Sequence, residues 1–324
     1  MTIDAQILAA LRNAITVSGA ELATRLGISR AAIWARIDDL RKLGYEIDAS
    51  PHHGYRLRNS PDLLLADDLA SRLTGKVVIG REIHVFKETA STNDVVEKLA
   101  RDGAKEGVVV FAEAQTKGRG RLGRKWHSPA GQGLYFSVLL RPKLAPIEAT
   151  QFTILAATAL VRAIDATTGV RPEIKWPNDL LVNGRKIAGV LTELSAELDT
   201  IKHLTLGIGL DVNQTASDFP PELRGIASSL RIAGGQSVSR PELATRLLTE
   251  LDRDYARIRA GGFGELADEW EARCTTIGQR IAIRTGPRTI TGCAESLDDD
   301  GALLLRTQHG RLERIIGGDV TLEK

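Results

Sequence analysis

The apolar residues of this chain change their repeat twice along its length, and that change constrains the fold more than any other feature. Near the front, Ile33, Ile37 and Leu40 recur at helical spacing. From about residue 77, apolar runs of strand length dominate, and from about 275 the strands become short and are separated by tight turns. Three such textures do not share one layer, so the chain is read as three units, at 1–62, 63–274 and 275–324. With 324 residues, 43% of them apolar, each unit has the means to bury a core.

In the first unit, Ser18 and Glu21 have capping-box spacing at the head of a helix whose apolar stripe is Leu22 and Leu26. Gly27-Ile28-Ser29 breaks that helix, a second follows Ser29, and Gly44 stops it. Helix, glycine-containing turn, helix is the helix-turn-helix pattern, and the runs YEID and YRLR on either side of SPHHG add a two-stranded wing. Its exposed positions Ser29, Arg30, Ala31, Trp34, Arg41 and Lys42, with His52 and His53 on the wing, are the candidate contacts to DNA. Charge does not decide the matter: residues 1–60 hold eight Lys and Arg against six Asp and Glu. DNA binding and a structural or protein-contact module both stay open at this point.

A Leu-rich helix in 61–75 leads into the second unit. The runs VVIG, IHVF, GVVVFAEA, LYFSVLL, LLVN, IAGVLTEL and KHLTLGIGL then mix with helices at 92–102 and 147–168, and further helices are expected near 239–260 and 263–272. Without regular β-α-β alternation, the expected class is α+β. In the third unit QRIAIR, TITGCAESL, ALLLRT and RLERIIG predict a small antiparallel barrel or meander of about five strands.

The totals exclude several functions. Forty-three Lys and Arg against 41 Asp and Glu leave a net charge of +2, so any basic function is local. Cys274 and Cys293 have neither disulfide-framework nor zinc spacing and are expected as buried thiols. Asp4 and Arg12 interrupt the first apolar stretch, and no run reads as a signal core or a membrane span, so a cytoplasmic location away from membranes is expected.

One stretch breaks the even charge. KGRGRLGRKW, residues 117–126, holds five cations and three glycines with no acid. Gly118, Gly120 and Gly123 satisfy the letters of a dinucleotide fingerprint, but Ser128-Pro129-Ala130-Gly131 cannot open the required helix and no acid follows at the right distance. The stretch therefore predicts a loop whose ordering costs ~1–2 kcal/mol per residue, mobile until an anion with several oxygens engages Arg119, Arg121 or Arg124 and the glycine N–H groups. Downstream, KWPND at 175–179 precedes a strand, an Asn183-Gly184 hairpin turn and Lys186 at the mouth of the returning strand.

Taken in order, STN at 91–93, the loop GRGRLGR with Trp126 and Ser128-Pro129, KWPND, GRKIAG at 184–189 and GIGLDVN at 207–213 resemble biotin protein ligases along nearly the whole chain. With the helix-turn-helix in front, the chain looks like the bifunctional bacterial type. That resemblance implies a winged helix-turn-helix domain, a central catalytic domain like class II synthetase-type biotin/lipoate ligases and a C-terminal SH3-like barrel. It implies an ATP- and Mg²⁺-dependent enzyme that forms biotinyl-5′-AMP and passes biotin to a lysine of a carboxylase's biotin carboxyl carrier protein. It also implies an adenylate-bound homodimer that represses biotin operon DNA.

By the same resemblance, Ser91, Thr92, Gln115, Gly118, Arg119, Arg121, Lys186 and Gly189 receive biotin. Arg121, Arg124, Trp126, Lys175, Asn178, Lys186, Asp211 and Asn213 face the nucleotide, and Lys186, Arg121 and Arg119 supply the catalytic charge. For Ser91 and Thr92 simple helix capping is the competing reading, and for Trp126 a core aromatic. Asp179 holds Mg²⁺ or merely turns the chain. Asp211 stands where the family usually has Asn, so it binds Mg²⁺, points away, or marks an altered nucleotide contact. Two rival functions remain: a monofunctional ligase with a front domain that does not bind DNA, and a biotin- or lipoate-sensing transcription factor without catalysis.

Overall fold

The computed structural model describes residues 1–50, 53–75 and 77–322; His52, expected as a DNA contact on the wing, lies outside the described residues. In the front unit, α1 (Ile3–Asn13), α2 (Gly19–Leu26) and α3 (Arg30–Lys42) are followed by the antiparallel pair β1 (Glu46–Ser50) and β2 (Gly54–Asn59). The local signals act as expected. Ser18 Oγ accepts from the Glu21 amide at 3.0 Å and Ser29 Oγ from the Ala32 amide at 3.1 Å, while Gly27 takes the left-handed conformation, φ 66°, that ends α2. Ile7, Leu8, Leu22, Ile33, Ile37 and Leu40 close a core of their own, against which Leu65 of the following segment also packs.

The exposed face differs from expectation at one cation, Arg41, while Lys42 stays exposed. Arg41 is turned inward to donate from Nε and Nη2 to the Ile47 carbonyl, at 2.9 and 2.6 Å, and Lys42 is paired with Asp38 and Asp39. Ser29, Arg30, Ala31, Trp34 and His53 remain exposed, Trp34 by 59%.

Next come α4 (Ala66–Arg72), β3 (Glu82–Thr89), α5 (Thr92–Arg101), β4 (Val108–Gln115), β5 (Gly133–Leu140), α6 (Thr150–Thr168), β6 (Glu173–Lys175), β7 (Asp179–Val182), β8 (Arg185–Glu197), β9 (Thr200–Asp211), α7 (Leu230–Gly234), α8 (Arg240–Arg259) and α9 (Phe263–Glu271). The seven strands lie in the order β3-β4-β5-β9-β8-β7-β6, antiparallel except for β3 and β4, which α5 connects in parallel. VVIG is not a strand. The Val78 and Ile79 amides donate to Asp252 Oδ1 at 2.9 and 2.8 Å, and Gly80 turns the chain at φ 94°. The three residues of β6 and the five of α7 went unforeseen because neither is long enough to show a repeat.

Alternation in the strands separates the two faces of this sheet. Val109, Phe111, Phe136 and Val138 enter the main core with α6 and α8, whereas Val108, Val110 and Leu139 pack against Val96 and Ala100 of α5. The stretch Pro146–Thr168, apolar and long enough to cross a membrane, is 72% buried over its apolar window as the core helix of this layer.

At the end of the chain, β10 (Arg280–Thr285), β11 (Arg288–Leu297), β12 (Leu303–Thr307), β13 (Leu312–Ile315) and β14 (Asp319–Leu322) pair antiparallel in the order β13-β12-β11-β10-β14, the five strands expected. Their apolar residues Ile281, Ile283, Leu303 and Leu305 join the main core rather than forming a separate one.

The wing depends on Gly54. It sits at φ 80°, and a Cβ there would lie 2.3 Å from the Val17 carbonyl oxygen. Gly54→Ala is expected to destabilise the front unit by ~1–3 kcal/mol or more, read as a lower urea midpoint for a transition of residues 1–60.

Candidate functional site

The pocket is built on a floor in which three glycines leave the backbone bare. On the α5 side of the sheet, β8, β9 and β5 place Gly189, Gly209 and Tyr135 in register, with Leu191, Gly207 and Ser137 beside them. A Cβ at Gly209 would lie 2.5 Å from the Trp126 ring, and one at Gly207 would lie 2.3 Å from Asn93 Oδ1. Glycine inside a strand is what allows these side chains to lie directly on the backbone. The resulting cavity has a volume of about 600 Å³.

At one end stands the start of α5. Ser91 occupies the N-cap position but its side chain makes no capping bond, and the residue lines the cavity. The Thr92 amide donates to Gln115 Oε1 at 2.9 Å, the Thr92 hydroxyl shares a hydrogen bond with Ser137 at 2.7 Å, and Ser137 donates to Asn93 Oδ1 at 2.5 Å. Gln115 Nε2 continues to Ser128 Oγ at 3.1 Å. Capping is therefore not what the Ser91 hydroxyl does.

The basic loop is a defined turn whose first cation already has counter-ions. Gly120 donates to the Arg124 carbonyl at 2.6 Å and Trp126 to the Gly118 carbonyl at 2.9 Å, closing the loop on itself. Arg119 donates to Asp94 at 2.7 Å and reaches Glu193 at 3.3 Å, while Asn93 donates to Glu193 at 2.6 Å. The loop of five cations without an acid of its own thus finds counter-charge elsewhere: acids distant in sequence offset the charge of Arg119. Arg121 donates to Asn178 Oδ1 at 3.3 Å, and Arg124 also lines the cavity.

The Asn183-Gly184 turn has φ of 51° and 73°, the primed geometry of a two-residue hairpin, and it delivers Lys186 to the opposite wall. Lys186 Nζ lies 2.6 Å from Asp179 Oδ1 and 5.3 Å from the centre of the Trp126 ring. The indole N–H of Trp126 is buried without a partner, which costs ~1–3 kcal/mol until an acceptor arrives. Lys175 and Asn178 complete this wall, with Asn178 Nδ2 fixed to the Val190 carbonyl at 2.8 Å.

Asp211 closes the floor. Only 5% exposed, it accepts from Gln214 Nε2 at 2.6 Å. Burial pushes its carboxyl well above the usual range, against the opposing pull of Lys186 and the Gln214 bond. Of the alternatives for this residue, pointing away is excluded. Asp179 is paired with Lys186, and the described residues contain no group of three or more His, Cys, Asp or Glu able to hold a metal ion by themselves, so Asp179 and Asp211 would have to share any Mg²⁺ with a ligand's phosphates.

Thirteen of the expected ligand positions thus line one cavity: Ser91, Thr92, Gln115, Arg119, Arg121, Arg124, Trp126, Lys175, Asn178, Asp179, Lys186, Gly189 and Asp211. Two do not. Gly118 is packed against the Trp126 carbonyl and Ser128 beneath the loop, where a Cβ would meet oxygen at 2.6 Å. Asn213 faces away, donating to Val238 O at 2.9 Å and Asp62 at 3.3 Å, because the strand alternation that points Asp211 inward has ended in a turn. Asn93, the last residue of the STN motif, was assigned no role from the sequence, and Glu193, which belongs to no motif, was missed. Sequence reasoning also missed Gly207 and Gly209, whose signal was two glycines alternating inside an apolar strand.

Two outcomes follow from this geometry. Gly209→Ala should displace the Trp126 ring and lower ligand affinity by about tenfold or more, measured by calorimetry. Because Asp211 holds its proton more tightly folded than unfolded, the wild type loses stability as pH rises above about 4 toward its folded pKa. Asp211→Asn removes that loss, so its urea midpoint should exceed the wild type's at pH 7–8 and approach it at pH 4.

Residues 85–211 match the Biotin/lipoate A/B protein ligase family, 4–56 an HTH domain and 276–322 the biotin protein ligase C-terminal domain. The chain is 39% identical over 306 residues to the bifunctional ligase/repressor BirA of Bacillus spizizenii, covering 94% of each chain. It is 30% identical over 322 residues to that of Escherichia coli, covering 99% and 97%. The solved biotin protein ligase of Aquifex aeolicus in complex with biotin and ATP superposes with a TM-score of 0.64 at 31% identity, over 75% of this chain and 99% of that one. The chain belongs to the biotin protein ligase family, in the form that carries a helix-turn-helix domain in front of the ligase.

Proposed function

We propose that this chain activates biotin with ATP as biotinyl-5′-AMP, transfers the biotinyl group to a carrier lysine of a carboxylase, and uses the same adenylate to repress biotin operon DNA. The observation that carries the reading is the single cavity in which Lys186, Arg119 and Arg121 converge over a glycine floor beside Ser91 and Thr92. The chemistry needs that convergence. A biotin carboxylate oxygen attacks the α-phosphorus, the bond to the bridging oxygen of the β-phosphate breaks, and pyrophosphate leaves with those electrons. Two anions meet in that step, so fixed cations and alignment supply most of the acceleration.

In this reading Ser91, Thr92 and Gln115 receive the ring system of biotin, and Gly189 lets it lie on the sheet. Arg119 and Lys186 exchange their carboxylate partners for the biotin carboxylate and α-phosphate. Trp126 lies against the nucleotide with its orphaned N–H available to an acceptor, and Arg121, Arg124, Lys175 and Asn178 border the phosphates. Asp211, whose burial favours the protonated form, stands where an amide would otherwise sit. Any Mg²⁺ enters with the ATP phosphates, which it screens. The carrier lysine then attacks the acyl carbon, AMP leaves, and the amine proton passes to solvent.

The exposed Trp34 and Arg30 on α3, with His53 on the wing, support operator contact, and an adenylate-bound homodimer would set two α3 helices at half-sites one or more helical turns apart. Free Cys274 and Cys293 suit a cytoplasmic location.

Incubation with biotin, Mg-ATP and a carboxylase carrier domain should raise the carrier's mass by one biotinyl group; no increase sinks the ligase reading. Lys186→Met should slow adenylation by ~10²–10³-fold. Arg121→Gly should release adenylate early, seen as biotin on bystander lysines by streptavidin blot.

A further inference from the structure

Away from the cavity, the described residues contain one arginine that is almost wholly buried and bonded to acids from two different segments. Arg240, 1% exposed at the start of α8, is held by Asp62 through its backbone amide at 2.8 Å and Nε at 3.2 Å, and donates from Nη2 to the Asp62 carbonyl at 2.7 Å. Its Nη1 reaches Glu113 of β4 and the Gly133 carbonyl. Glu113 in turn accepts from the Leu64 amide at 3.0 Å. Asp62 and Leu64 belong to the segment that joins the winged unit to the ligase, so this connection is clamped rather than loose.

The clamp has firm contacts at both ends. Toward the front, Asp68 of α4 is buried and takes Arg12 of α1 and the hydroxyl of Tyr45. Toward the cavity, Asn213 bonds Asp62 at 3.3 Å and its amide donates to Gln132 at 2.7 Å, and Gly133 is the register partner of Asp211 on the floor. Arg12 also donates to Ser60 Oγ at 3.4 Å, so α1 is bonded to the joining segment just before Asp62, and the end of the strand that carries Asp211 is bonded to Asp62 itself through Asn213. Removing one partner of a buried charged pair strands the other, so the arrangement persists only as a unit.

We propose that Arg240, with Asp62 and Glu113, is a positioning residue that fixes the DNA-binding unit relative to the floor of the pocket, so that occupancy at Asp211 biases how α3 is presented. The inference rests on the repressor reading for its DNA consequence but not for the clamp itself. Neither Asp62 nor Arg240 lines the ligand cavity. Asp62 keeps 43% of its side chain exposed, so its variants should fold.

The test compares full-length wild type, Asp62→Ala and Asp62→Asn. Hydrogen exchange at the Arg240 and Leu64 amides should accelerate about tenfold in Asp62→Ala, and Asp62→Asn, which keeps an acceptor, should fall between. Carrier biotinylation should stay within about twofold, while the increase in affinity for a biotin operon fragment on adding biotinyl-5′-AMP should shrink by about tenfold. Faster exchange with an unchanged adenylate response overturns the coupling. If the wild type ignores the fragment altogether, the repressor reading fails, and small-angle scattering then decides: an Asp62→Ala radius of gyration equal to the wild type's overturns the clamp, and a larger one upholds it.

Discussion

The site depends on a stretch of sheet where three glycines leave the backbone bare. Gly189 and Gly209 are register partners on adjacent strands, with Gly207 two residues before Gly209 and opposite Leu191, and Trp126 and Asn93 rest in the trough they leave. Trp126 can lie against Gly209, and Asn93 against Gly207, only because a Cβ is missing from each. Those two placements then bring the basic loop and the start of α5 to the same few ångströms of backbone. The opposite face of the same strands is packed with Val190, Leu206 and Leu210 under α6 and α8, so the trough cannot sag.

Over that floor the charges are provisional. Arg119 sits with Asp94 and Glu193 in half-exposed pairs, and Lys186 with Asp179 in a more buried one. The exposed pairs of Arg119 contribute about 0–1 kcal/mol each, so exchanging them for a ligand's carboxylate or phosphate costs little. The loop is thus held in shape without ligand and still free to rearrange around one.

Much of this was legible beforehand, for physical reasons that can be named. Ser18, Gly27 and Ser29 act through bonds within four residues of themselves, and Asn183-Gly184 through its own backbone, so the helix-turn-helix and the Lys186 hairpin follow from local sequence. VVIG was misread because its fate is set by Asp252, far along the chain, and Arg41 because the Ile47 carbonyl captures it. The counter-ions of the loop were equally hidden, since Asp94 and Glu193 meet Arg119 only through the tertiary fold. Gly118 and Asn213 carry motif letters but stand behind the cavity, one supporting the loop and the other tied to Asp62.

The central claim is that Arg119 and Lys186 are held by protein acids and released to the ligand. A crystal structure of the complex with biotinyl-5′-AMP tests it directly. The account predicts Arg119 turned from Asp94 and Glu193 and Lys186 turned from Asp179, both bonded to the acyl-phosphate oxygens over an unobstructed glycine floor. A bound adenylate with both of these ion pairs still in place would contradict it.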